Sequence, residues 1–157
     1  MGAGKTTAAR RLANRLGWEV VDTDDMFEEK YKISVCDFFN KYDEALYRKL
    51  ESEVLKSTES LTRVVVSTGG GTACYFDNID WMNQHGLTVF MRISPEAAAD
   101  RILNSKRKRP LTENKTKEEL TEYIRQHYAS RMPFYEQAQI TVKSEDFDLD
   151  GFLELIG

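Results

Sequence analysis

A layered α/β fold with parallel strands is what three observations in this sequence predict. Short runs rich in β-branched residues alternate with helical stripes, a glycine-lysine-threonine motif stands where the first helix begins, and 157 residues suffice for one domain with its own core. Strands separated by helices return as parallel crossovers, which a meander of hairpins would not need. The charge balance, 22 basic against 26 acidic residues for a net −4, with 31% charged and 41% hydrophobic residues, is that of an ordinary folded domain and excludes disordered and collagen-like chains. A pI near 5.3 argues against a protein whose main partner is nucleic acid. No apolar run approaches the ~18 residues that span a bilayer, and the N-terminus opens with glycines and a lysine instead of a signal core, so a cytoplasmic protein without a membrane partner is expected. Cys36 and Cys74 are too few and too far apart for a C-x-x-C site and are expected as free thiols.

The elements follow in order. Ala8, Ala9, Leu12, Ala13 and Leu16 form a helical stripe over residues 5–16 that stops at Gly17. Glu19-Val20-Val21-Asp22 is a short strand, followed by a helical stretch with Met26 and Phe27. A second helix is expected from about Val35 to Lys56, with Phe38, Phe39, Tyr42, Leu46 and Leu50 on its apolar side. Val64-Val65-Val66 predicts a buried strand, and Gly69-Gly70-Gly71 the loop after it. A short helix over residues 76–85 and a strand from Leu87 to Ile93 come next. Ser94 then caps a helix with Pro95 in its first turn, running through Ile102. After the basic run Lys106 to Arg109 and a polar loop, a long helix is expected from about Lys117 to Met132, and the last strand from Gln139 to Lys143.

Gly2-Ala3-Gly4-Lys5-Thr6 spells the last five positions of the phosphate-binding loop G-x-x-x-x-G-K-[ST]. Gly4 lets the backbone approach phosphate oxygens, the N–H groups at the helix start point at the anion, Lys5 reaches the outer phosphates and the Thr6 hydroxyl suits Mg²⁺. The motif's first glycine falls two positions before Met1, and the strand that feeds such a loop is expected to lie before Met1 as well. Asp22-Thr23-Asp24 ends a strand, where open α/β sheets bind ligands. Strand alternation would point Asp22 and Asp24 to one side, one carboxylate for a metal and one for a substrate hydroxyl; the competing reading is a plain helix cap. The triple glycine offers bare backbone against which a substrate can lie.

Taken together, Gly2 to Thr7, Asp22-Thr23-Asp24, Tyr47-Arg48-Lys49-Leu50-Glu51, Val64 to Gly71, Arg109-Pro110-Leu111 and Arg131-Met132-Pro133-Phe134-Tyr135 resemble shikimate kinase in order and spacing, over essentially the whole chain. The resemblance implies a three-layer P-loop kinase fold similar to the nucleoside monophosphate kinases. Its five-stranded parallel sheet has the order 2-3-1-4-5, so the first strand, expected before the chain, is the central one. One domain over 1–157 is implied, with a substrate-binding helical region at about 24–56 and a lid at about 104–117.

By the same resemblance, ATP would lie on Gly2, Ala3, Gly4, Lys5, Thr6 and Thr7, with Arg101 at the adenine and Arg109 reaching from the lid to the transferring phosphoryl. Mg²⁺ would be served by Thr6, Asp22 and Ser67. Lys5, Asp24 and Arg109 would be catalytic. Shikimate would be held by Asp24, Phe39, Arg48, Glu51, Gly69, Gly70, Gly71 and Arg131, the two arginines gripping its carboxylate through paired hydrogen bonds, with Glu51 at i+3 orienting Arg48. Two positions depart from the pattern: Asp43 stands where glycine is usual, and Tyr47 where phenylalanine is. His85 and His127 are not expected to be catalytic. The implied activity is ATP-dependent phosphorylation of shikimate to shikimate 3-phosphate by a cytoplasmic monomer with no nucleic-acid partner. A kinase of another small acid or sugar acid, such as gluconate, and a catalytically silent nucleotide-binding relative are the alternatives.

Overall fold

The structure, a computed structural model, describes residues 4–104 and 115–157. Gly2, Ala3 and Arg109, and most of the lid expected at about 104–117, lie outside these residues. The chain divides into two compact units: an N-terminal unit, Lys5–Leu87, and a C-terminal unit of Thr88–Gly157 with residues 1–4.

The N-terminal unit runs α1 (Lys5–Leu16), β1 (Glu19–Asp22), α2 (Thr23–Tyr31), α3 (Val35–Lys41), α4 (Glu44–Ser57), β2 (Val64–Ser67) and α5 (Asn78–His85), with single 3₁₀ turns at Thr58–Ser60 and Thr72–Cys74. α1 starts where the phosphate-loop motif requires and ends at Gly17, whose φ of +68° is a left-handed conformation that suits glycine. β1 and β2 pair in parallel, with Glu19 opposite Val64 and Asp22 opposite Ser67. The crossover between them is made by α2, α3 and α4, while α1 packs on both strands.

The single helix expected from Val35 to Lys56 is two helices. Asp43 is the cause: its carboxylate accepts the Leu46 N–H at 2.8 Å and starts α4, while Tyr42 leaves α3 in extended backbone. The new cap sits at the position where the resemblance expects glycine. Phe27, Phe38, Tyr47 and Val54 form the core of this region. Phe27 meets Phe38 edge-on at 5.2 Å and Tyr47 at 5.1 Å, so the aromatic residues lock α2, α3 and α4 together.

The C-terminal unit contains β3 (Val89–Arg92), α6 (Pro95–Leu103), α7 (Lys117–Tyr135), β4 (Ile140–Lys143) and α8 (Leu149–Ile156). Ser94 caps α6 through the Ala97 N–H, with Pro95 in the first turn. β3 is shorter than the Leu87–Ile93 run suggested, and α7 continues three residues past Met132 with Pro133 inside it. α8 has no counterpart in the sequence reading. β3 and β4 pair in parallel, Val89 opposite Ile140 and Arg92 opposite Lys143. The pairs β1–β2 and β3–β4 are the neighbours that the order 2-3-1-4-5 leaves when its first strand is set aside. The core consists of Ile93, Ala98, Ala99, Ile102, Leu120 and Ile124, where the two fully buried alanines let α6 lie close on α7.

Cys36 and Cys74 form no disulfide. Among the described residues no helix is long and apolar enough to cross a membrane. Leu120, with no exposed surface at the centre of the α6–α7 contact, sets a stability test. Leu120→Ala is expected to cost about 2–5 kcal/mol in urea unfolding, and Leu155→Ala, at a side chain 69% exposed, less than about 0.5 kcal/mol.

Candidate active site

Most of the expected site residues converge in the N-terminal unit, at the C-terminal ends of β1 and β2 and the start of α1. Lys5, Thr6 and Thr7 form the first turn of α1, which carries no acidic residue, so its unpaired N–H groups face no competing carboxylate of that turn. Gly4 precedes it at φ +72°, and a Cβ there would stand 3.2 Å from Arg101 Nη1. Asp22 and Ser67 are register partners at the ends of their strands, and Ser67 is buried.

Asp22 and Asp24 are not neighbours along one strand, as alternation suggested. The strand stops at Asp22, whose Oδ1 accepts the N–H groups of Asp24 at 2.8 Å and Asp25 at 3.3 Å and so caps α2. The helix-cap reading is therefore correct for one oxygen of Asp22, and Asp24 lies in the first helical turn. There its carboxyl is raised above the ordinary aspartate range by burial, then by the nearby negative charges of Asp22 and Glu51, with Lys5 opposing the rise.

The centre of the site is Glu51, 3% exposed. Its Oε1 accepts from Arg48 Nη1 at 3.0 Å, and its Oε2 accepts from Tyr47 Oη at 3.2 Å and Thr72 Oγ1 at 3.0 Å. Tyr47 Oη also lies 3.5 Å from Asp24 Oδ1. Burial together with Glu51 and Asp24 pushes the Tyr47 phenol far above its ordinary range, so it remains a proton donor. Burial works against the Arg48 charge, and Glu51 more than offsets it, leaving the guanidinium more firmly protonated than in water. Helix spacing explains the arrangement: Tyr47, Arg48 and Glu51 share one face of α4 at i, i+1 and i+4, with Thr72 brought in by the glycine loop.

The glycines are needed where they stand. A Cβ at Gly69 would lie 3.2 Å from Asp24 Oδ1 and 3.4 Å from Glu51 Oε2, and one at Gly71 only 2.7 Å from Arg48 Nη1 and 2.8 Å from Nη2. Any side chain at Gly71 would push the Arg48 fork out of place. Phe39 packs on Tyr47 with ring centroids 4.5 Å apart and is 38% exposed.

Arg101 and Arg131 belong to the C-terminal unit. Arg101 Nη1 donates to Ser144 Oγ at 2.7 Å, which fixes it against the end of β4. Arg131 sits half-buried on α7, where burial and its positive charge lower the pKa of His127. His85 stacks on Trp81 and pairs with Glu59 at 3.4 Å, outside the constellation. Among the described residues no group of three or more His, Cys, Asp or Glu side chains is placed to hold a metal. Hydroxyl and carboxylate oxygens at Thr6, Asp22 and Ser67 still suit a small hard cation that keeps most of its waters. Sequence reasoning missed Thr72, the Tyr47 hydroxyl, and Glu44, whose carboxylate meets Arg48 Nε at 3.4 Å; the i,i+4 spacing of Glu44 and Arg48 was the available signal.

The shikimate kinase family model matches residues 1–152. The chain is 36% identical to the shikimate kinase of Bacteroides thetaiotaomicron over 148 residues, 94% of this chain and 85% of the relative. It is 40% identical to that of Bacteroides fragilis over 138 residues, 88% and 77% of the two chains. The crystal structure of the Bacteroides thetaiotaomicron enzyme superposes with a TM-score of 0.95 at 34% identity, covering 99% of this chain and 93% of that one. That of Acinetobacter baumannii shikimate kinase in complex with shikimate gives 0.86 at 31% identity, covering 99% and 88%.

Removing Glu51 would leave the buried Arg48 charge with the half-exposed Glu44 as its carboxylate partner. Glu51→Ala is expected to lower the unfolding free energy by about 3 kcal/mol, and Glu51→Gln by less, in denaturant titrations.

Proposed function

The chain belongs to the shikimate kinase family and is an ATP:shikimate 3-phosphotransferase with the P-loop fold of that family; we propose that the constellation at the ends of β1 and β2 carries the reaction. The observation that supports this most is the pairing, through Glu51 and Tyr47, of a fixed buried guanidinium with a half-buried carboxylate of raised pKa beside a wall of bare glycine backbone. An acid with hydroxyls on its ring needs those parts.

In this reading Lys5, Thr6 and Thr7 at the start of α1 would receive the ATP phosphates; the family resemblance assigns Gly2, Ala3, Gly4, Arg101 and Arg109 to the same nucleotide. Mg²⁺, held through Thr6, Asp22 and Ser67, would supply positive charge to the phosphate oxygens. Arg48, oriented by Glu51, would grip the shikimate carboxylate, with Gly69, Gly70 and Gly71 under the ring and Phe39 beside it; the family resemblance assigns Arg131 to the same carboxylate. Asp24 accepts the proton of the 3-hydroxyl as that oxygen bonds to the γ-phosphorus, and the bond from phosphorus to the β-phosphate oxygen breaks, releasing ADP. A carboxyl whose surroundings raise its pKa is the better proton acceptor for this step. The enzyme is proposed to work as a single domain over 1–157, as a monomer in the cytoplasm.

A coupled ADP-release assay with shikimate, quinate and gluconate tests the reading, with turnover expected on shikimate. Lys5→Met is expected to keep the circular dichroism spectrum and lose kcat by at least about a thousandfold, because it removes charge at the developing transition state. Asp24→Asn is expected to lose about a hundredfold or more in kcat. Activity within tenfold of wild type in both variants would remove the assignment.

A further inference from the structure

A guanidinium grips a carboxylate through paired bonds only when its plane is fixed, and arginine is a long flexible side chain. The bonds from Arg48 Nε to Glu44 and from Nη1 to Glu51 occupy part of its edge. Its face is closed by Tyr75, with Cζ 4.3 Å above the ring centroid. The Tyr75 hydroxyl donates to Glu44 Oε1 at 3.0 Å, the same oxygen that meets Arg48 Nε. Tyr75 therefore touches the arginine with its ring and that arginine's in-plane partner with its hydroxyl.

Tyr75 is itself held by α4. Arg48, Ser52 and Lys56 stand at i, i+4 and i+8, on one stripe of that helix, and all three meet the segment 75–78. Ser52 Oγ donates to Asn78 Oδ1 at 2.7 Å, and Lys56 pairs with Asp77 at 2.7 Å. Asn78, fully buried, donates from Nδ2 to the Thr72 carbonyl at 2.8 Å and from its backbone N–H to the Tyr75 carbonyl at 3.2 Å. Between Tyr75 and Asp77 the chain turns through Phe76 at φ +51°, a left-handed conformation that costs a bulky residue energy and persists where the surroundings impose it. The Phe76 side chain is 65% exposed, so burying that ring is not what holds the turn.

We propose that Tyr75 is a positioning and specificity-determining residue for the acid substrate: by locking the plane of the Arg48 guanidinium, it makes the enzyme distinguish a carboxylate from an uncharged group of the same shape. The inference rests on the reading of Arg48 as a carboxylate-binding residue given above.

The test compares shikimate with its analogue in which the carboxylate is reduced to an alcohol, in wild type, Tyr75→Leu and Tyr75→Phe. Tyr75→Leu is expected to raise the KM for shikimate about tenfold while kcat and the KM for ATP stay within about twofold, the size of a lost cation–π contact plus a looser fork. Its KM for the alcohol should not change, so selectivity for the acid falls about tenfold. Tyr75→Phe, which keeps the ring, should recover selectivity to within about threefold of wild type. Should Tyr75→Leu fail to fold, Glu44→Ala, at a side chain 56% exposed, releases the Tyr75 hydroxyl and Arg48 Nε together and should lower the same selectivity at least about threefold. Unchanged selectivity in Tyr75→Leu, or in Glu44→Ala where that variant stands in, overturns the proposal, as does an equal loss of kcat on both substrates. A wild-type enzyme with no preference for the acid would instead overturn the role of Arg48.

Discussion

The buried carboxylate of Glu51 is the constraint on which the site depends. A carboxylate out of water is costly unless its oxygens are occupied, and here an arginine, a tyrosine and a threonine occupy them. Each donor comes with a consequence. The arginine keeps its charge in a place that would otherwise oppose it, the tyrosine hydroxyl is turned toward Asp24, and the threonine ties the glycine loop to α4. The same negative charge contributes to lifting the Asp24 carboxyl, so in the proposed mechanism recognition of the acid and acceptance of the proton draw on one group.

Rigidity at this point comes from the aromatic core beneath it. Tyr47 is 3% exposed, with its ring among Phe27, Phe38 and Phe39 and its hydroxyl in the site. Packing of the ring and the bond to Glu51 together fix the hydroxyl's position, and a change of volume at Phe27 or Phe38 would be felt at Asp24 and Glu51. α4 works as a ruler in this arrangement: helical spacing alone places Glu44, Arg48, Ser52 and Lys56 along one line, against which the segment after the glycine loop is laid.

How much of this was legible in the sequence depends on the kind of signal. α1, β1, β2 and α6 could be read because their markers are local: a glycine that ends a helix, a valine run, a serine before a proline. The break between α3 and α4 was missed because the apolar stripe from Phe38 to Leu50 continues across it, and Asp43, in a place expected to be glycine, gave no obvious stop. α8 is a short terminal helix, and two buried residues, Leu149 and Phe152, make too short a stripe for periodicity to announce. Lys5, Asp22, Asp24, Arg48 and Glu51 were legible as motif positions. The hydroxyls of Tyr47 and Thr72 were not, since a tyrosine in an apolar stripe reads as core until its oxygen is seen between two carboxylates.

The wall built from Gly69 and Gly71 has a consequence for ligands made against this enzyme. A contact with backbone is a contact with atoms that every sequence shares, so substitution can alter it only by adding bulk. At Gly71 that bulk would displace the guanidinium, and at Gly69 it would crowd two carboxylates. On the proposed reading of this strip, an inhibitor that rests its flat side there faces a surface where escape by point mutation also disturbs the Arg48 and Asp24 side chains that the substrate needs.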